Sequence, residues 1–174
     1  MSEGILLPPA ARGALLDEST RVARLSEAIP QIRAAVAGET DAVALEATLA
    51  CLLWEALVQA NWCGFYRRVR ESELAVGPYQ GTLGCLRIDF ARGVCGACAR
   101  TGRVQLVADT HAFPGHIACD ERTRSEVVVP VTSQGALRAV LDVDSPHPSG
   151  FCEAEADLLL ALVRGVFEAP GIAW

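Results

Sequence analysis

The stretch Ser125–Ser145 reads "SEVVVPVTSQGALRAVLDVDS". Two runs of β-branched and aliphatic residues flank "TSQG", the spacing of an antiparallel hairpin. In the second run, strand alternation puts Leu137, Ala139, Leu141 and Val143 on one face. Arg138, Val140, Asp142 and Asp144 share the other. Aspartate is disfavoured in strands, so two aspartates side by side on one strand face need a reason. On a solvated face or at a strand end they mean little. Covered by a loop, they repel, and at least one carboxyl keeps its proton near neutral pH. Glu126, at the start of the neighbouring run, can join them. A cluster with one protonated and one ionised carboxyl both donates a proton and binds an ammonium group.

Outward from this hairpin, periodicity outlines the rest. Apolar residues at Leu15, Val22, Leu25, Ile29, Ile32 and Val36 mark one helical face, with a kink or break expected at Pro30. A second helix runs from about Asp41 to Ala60, capped by Thr40 or Asp41. "NWCGFYRRV" and "ELAVGPY" read as strands joined at "RES", and "GCLRIDF" as a third. "GVCGACARTG" reads as one short helix stopped by Gly102, and "VQLVAD" as another strand. A long loop follows, from about Asp109 to Arg124, of a length that is usually functional or disordered. The last helix starts near Cys152, with Glu153, Glu155 and Asp157 in its first turn, where the helix dipole favours acids. This order implies an α+β fold: a mostly antiparallel central sheet with helices on one face.

Composition narrows the function. The chain has 174 residues, one domain's worth, and is 51% apolar, enough for a core without staples. Its net charge is −6, all 15 basic residues are scattered arginines, and no basic stripe or stacking platform suggests nucleic acid. No apolar run reaches the roughly 18 residues that span a bilayer. The first twenty residues lack the pattern of a secretory signal, and seven cysteines is an odd number for a disulfide scaffold. A cytoplasmic location is expected.

In "NWCGFY", Trp62, Gly64 and Tyr66 point the same way, a wall with a gap suited to a small group or to ordinary core packing. Cys51 and Cys63 read as core residues. Cys95, near a helix N-terminus and Arg92, is expected to favour thiolate, as is Cys119 among His111, His116, Arg122 and Arg124. A four-cysteine zinc site is disfavoured, because only "CGAC" supplies a close pair. A thioredoxin-type site lacks its βαβ setting.

Taken together, "NWCGFY", "GPYQG", "GVCG", "DTHAFPGHIACD", "RSEVVVPV" and "LDVDSP" resemble, in order and spacing, the free methionine-(R)-sulfoxide reductases, small enzymes built on a GAF domain. The resemblance covers about Trp54 to Leu162. It implies a GAF domain over 39–174 with a catalytic loop at 109–124, preceded by a helical segment, 1–38, packed on it. It implies that Cys119 is the nucleophile and that Cys85 and Cys95 resolve it. Trp62 and Tyr66 would hold the methyl and thioether end of the substrate. Glu126, Asp142 and Asp144 would bind the amine and protonate the sulfoxide, and Asp109 falls in a matching motif. The implied substrate is free methionine sulfoxide and the implied electron donor thioredoxin or another dithiol, with no bound cofactor and no metal. Cys98 stands where the family usually has a small non-thiol residue; it is a packed residue or an extra resolving thiol. The alternative function is a non-catalytic GAF sensor that binds a small ligand. A homodimer through the N-terminal helices is compatible with the sequence.

Overall fold

In a computed structural model the described residues are 5–115 and 120–174. Six antiparallel strands form one sheet in the order β3-β2-β1-β6-β5-β4. The strands are β1 (Trp62–Arg70), β2 (Glu73–Gly81), β3 (Arg87–Asp89), β4 (Gln105–Val107), β5 (Ser125–Ser133) and β6 (Ala136–Ser145). The central hairpin closes on Gln134 and Gly135, both with positive φ (52° and 75°). That is the turn whose twist matches two antiparallel strands.

Helices α1 (Glu18–Ala35), α2 (Ala42–Ala56) and α4 (Glu153–Phe167) cover one sheet face. Leu25, Ile32, Leu49, Leu53, Leu159 and Leu162 meet Phe65, Val127, Val129, Leu141 and Val143 there. Asp17 and Asp41 cap α1 and α2 by accepting the amides of Thr20 and Ala44. The short helix α3 (Gly93–Thr101), ended by Gly102 in the left-handed conformation, lies on the opposite face. It packs with Trp62, Tyr66, Val128 and Val140.

Four expectations change. Helices occupy both faces, not one: α3 is short and apolar on most sides, and it closes the second face over the acids. Pro30 lies inside α1, which continues through it to Ala35; the buried stripe on either side outweighs the one lost backbone bond. Leu137 leaves its alternation partners and packs with the second cluster. A bulge between Val131 and Thr132 pairs Thr132 with Leu137 and leaves Arg138 over, which reverses the faces beyond it. Cys51, expected in the core, is exposed on α2, whereas Cys63 and Cys98 are fully buried. Among the described residues no helix is long and apolar enough to cross a membrane.

Candidate active site

Strand register builds the site. On β1 and β6, Trp62 lies opposite Asp144 and Gly64 opposite Asp142. On β5 and β6, Glu126 lies opposite Asp144 and Val128 opposite Asp142. Cross-strand neighbours on one face sit about 4.5–5.5 Å apart at Cβ, so Trp62, Asp144 and Glu126 form one row across three strands. Asp142 sits one step along the same face. One cavity is lined by Trp62, Tyr66, Cys95, Glu126, Asp142 and Asp144, with Leu83, Gly84, Gly93 and Asp120 among its other walls.

The aromatic wall is deeper than the sequence suggested. Trp62 stacks on Tyr66 at 5.3 Å and on Tyr79 at 5.2 Å between ring centroids. The expected gap at Gly64 is already filled: a Cβ there would lie 2.2 Å from Tyr79 Cβ. Gly64 therefore admits the β2 backbone rather than a ligand. Gly84 presses on the wall from the other side, where a Cβ would sit 2.8 Å from Tyr66 Oη and 3.2 Å from Trp62 Nε1. The Tyr66 hydroxyl takes a backbone hydrogen bond from Cys85, which ties the wall to the cysteine loop.

The acids are perturbed as their burial requires. Glu126 is 6% exposed and Asp142 5% exposed. Desolvation raises Glu126 well above the usual carboxyl range, and the charges of Asp142 and Asp144 push it further. Asp142 is raised to about 6 by desolvation, held back by hydrogen bonds from Cys95 and Glu126. Asp144 is raised by desolvation and by the charges of Asp142 and Asp120. Glu126 and Asp142 are hydrogen-bonded to each other, and burial favours the proton on Glu126. Asp142 Oδ1 is buried with no hydrogen-bond partner among the described residues. A buried acceptor of this kind costs free energy until a donor reaches it.

The cysteines divide sharply. Cys85 is disulfide-bonded and partly exposed, whereas Cys51, Cys63, Cys95, Cys98 and Cys152 are free thiols. The engagement of Cys85 is at odds with a four-cysteine zinc site. Cys95 Sγ lies 3.8 Å from Glu126 Oε1. Its pKa is raised well above that of a free thiol by desolvation, then by the charges of Asp142 and Glu126. The expected thiolate at Cys95 is thus reversed: burial among acids outweighs the helix dipole and the arginine that suggested it. Cys119 and His116 lie outside the described residues. Asp109 does not line the cavity; it caps a 3-10 turn, Thr110–Ala112, and pairs with Arg124 at 3.4 Å.

A thiol and two carboxylates also bring donor atoms within 4.8 Å of one another at Cys95, Glu126 and Asp142. Sequence reasoning missed Tyr79, Gly84 and Asp120. The first two carried only a weak signal, an aromatic and a glycine flanking the "GPYQG" and "GCL" turns.

The profile of the GAF domain matches residues 42–166. The free methionine-R-sulfoxide reductase of Escherichia coli is 41% identical over 130 residues, 75% of this chain and 78% of its own length. The chain belongs to the GAF-domain family of free methionine-R-sulfoxide reductases. The enzyme of that name from Saccharomyces cerevisiae is 38% identical over 134 residues, 73% of this chain and 74% of its own. A crystal structure of the Neisseria meningitidis free methionine-R-sulfoxide reductase in complex with its substrate superposes with a TM-score of 0.80 at 42% identity. It covers 91% of this chain and 93% of that one.

Proposed function

We propose that this protein reduces free methionine (R)-sulfoxide to methionine by a cysteine sulfenic acid and an intramolecular disulfide. The observation that carries this reading is a proton-holding carboxyl cluster in the same cavity as the Trp62–Tyr66 wall, roofed by the loop that bears Cys85. The aromatic wall receives the methyl and thioether end, and Asp142 and Asp144 receive the ammonium. Glu126 donates its proton to the sulfoxide oxygen, which turns sulfur into an electrophile. Cys119 attacks that sulfur, the S–O bond breaks, methionine leaves and Cys119 is left as a sulfenic acid. The Cys85 thiolate condenses with it, forming a disulfide and releasing water. The disulfide already present at Cys85 and the free, deeply buried Cys95 both favour Cys85 over Cys95 in this step. A dithiol protein such as thioredoxin then reopens the disulfide by exchange. The cycle as written needs no bound cofactor. A cytoplasmic setting, where such dithiols are kept reduced, suits this cycle.

The cavity leaves about 30 Å³ between its described walls, and reduction of the disulfide at Cys85 is expected to open its rim to methionine sulfoxide. The test is a reductase assay with both sulfoxide epimers, free and peptide-bound, driven by a dithiol. Turnover of the free R epimer alone is expected; equal turnover of a peptide-bound sulfoxide overturns the reading. Calorimetry is expected to show substrate binding to the reduced protein and none to the oxidised one.

A further inference from the structure

The aromatic wall carries two hydrogen-bond donors that its packing does not use. Trp62 and Tyr66 are each 2% exposed, so bulk water satisfies neither. Trp62 Nε1 is buried with no hydrogen-bond partner among the described residues, and an indole nitrogen can only donate. The Tyr66 hydroxyl receives the Cys85 amide, which occupies its oxygen and leaves its own O–H to give. A buried donor without an acceptor costs free energy, and native structures leave few of them.

The two donors converge beside Gly84. A Cβ on that residue would lie 2.8 Å from Tyr66 Oη and 3.2 Å from Trp62 Nε1. One point is thus within hydrogen-bond distance of both atoms, and a single oxygen near it can accept from the two. The glycine leaves this notch open where any side chain would fill it. Trp62, Tyr66 and Gly84 line the same cavity as Glu126, Asp142 and Asp144. The carboxyls take an ammonium or give a proton, whereas the notch offers donors alone and calls for an acceptor. Free methionine sulfoxide brings two acceptor groups. Its carboxylate shares a carbon with the ammonium and travels with it to the acids. Its sulfoxide oxygen is bonded to the sulfur whose methyl group packs on these rings.

We infer that Trp62 Nε1–H and Tyr66 O–H bind the sulfoxide oxygen in the notch beside Gly84, and so determine specificity for a sulfoxide over a thioether. This rests on the reading of the protein as a free methionine sulfoxide reductase. The oxygen keeps lone-pair capacity for the proton of Glu126. Methionine has no oxygen on sulfur, so the product leaves both donors unpaired. A site built to bond a polar group disfavours the analogue that lacks it, and here that analogue is the product that must leave.

The experiment removes one donor and keeps the ring. Trp62 is replaced by benzothienylalanine through nonsense suppression, which puts sulfur where the N–H was. The kcat/KM for free methionine (R)-sulfoxide and the inhibition constant of methionine are then measured with a dithiol as donor. The kcat/KM is expected to fall about ten-fold or more, and the inhibition constant to stay within about two-fold of the wild-type value. Tyr66→Phe is expected to show the same split. Equal weakening of sulfoxide and methionine, the mark of a damaged wall or of a notch that holds the carboxylate, overturns the inference alone. An unchanged kcat/KM in both variants does the same. Failure of the wild-type enzyme to reduce free methionine sulfoxide overturns the functional reading and the inference with it. Should one variant fail to fold, the other decides the matter.

Discussion

Two buried carboxylate sites sit on opposite sides of the sheet and are treated in opposite ways. Glu155, in the first turn of α4, is wholly buried. It accepts from Arg21 Nε at 3.2 Å, from Gln59 Nε2 at 3.0 Å and from the Cys152 amide at 3.0 Å. The acid cluster on the other face has Asp142 with one oxygen unpartnered. Among the described residues no cation pairs with Asp142 or Asp144. A carboxylate paired with a cation and donors holds elements together; one left short of donors holds a proton or waits for a ligand. Glu155 ties α1, the segment before β1 and the start of α4 into one unit. The cluster opposite stores unfavourable electrostatics beside the cavity.

Substitutions are expected to separate the two. The largest effect is Cys119→Ser, with turnover falling to background in a dithiol-driven assay; an unchanged rate would remove Cys119 from the mechanism. Next, Glu126→Gln is expected to slow the chemical step by about 10²–10⁴-fold, the usual scale for a catalytic acid. Its urea midpoint should not fall, because a neutral side chain replaces one that burial already keeps protonated. Across the sheet, Arg21→Met leaves Glu155 buried without its cation. A stability loss of about 3–5 kcal/mol is expected, read from urea unfolding, with turnover per folded molecule preserved. An Arg21→Met enzyme as stable as the parent would break the contrast from that side.

The smallest effect concerns pH. The carboxyl of Asp142 is raised to about 6 in the folded protein, against about 3.9 in an unfolded chain. Folding therefore favours the protonated form. The contribution is fully present below about pH 4 and is lost as pH rises through about 6, by roughly 2–3 kcal/mol. Urea midpoints of the ligand-free protein should fall across that window, and Asp142→Asn should flatten the fall. An amine-bearing ligand that reaches Asp142 should restore stability above pH 6 and do little at pH 4.

Much of this was legible in the residues. The Ser125–Ser145 hairpin, the α3 stop at Gly102 and the pairing of Asp142 with Asp144 on one face follow from alternation and turn chemistry, which act over a few residues. The same local logic failed where a neighbour from elsewhere decided the outcome. Gly64 read as a gap until Tyr79 of β2 filled it. Cys95 read as a thiolate until burial beside Glu126 and Asp142 reversed the balance. Leu137 changed sides at a bulge that no single strand announces.

By itself the sequence determined most strand faces, which segments are helices and which side chains are candidates for redox and acid–base chemistry. Backbone geometry and apolar spacing are properties of neighbours along the chain. Only the tertiary structure decided that the acids cluster together and that Asp120 bonds Thr82 and Asn61 from distant parts of the chain. Desolvation and Coulomb energies depend on what lies a few ångströms away in space, and those neighbours come from strands and loops far apart in the chain.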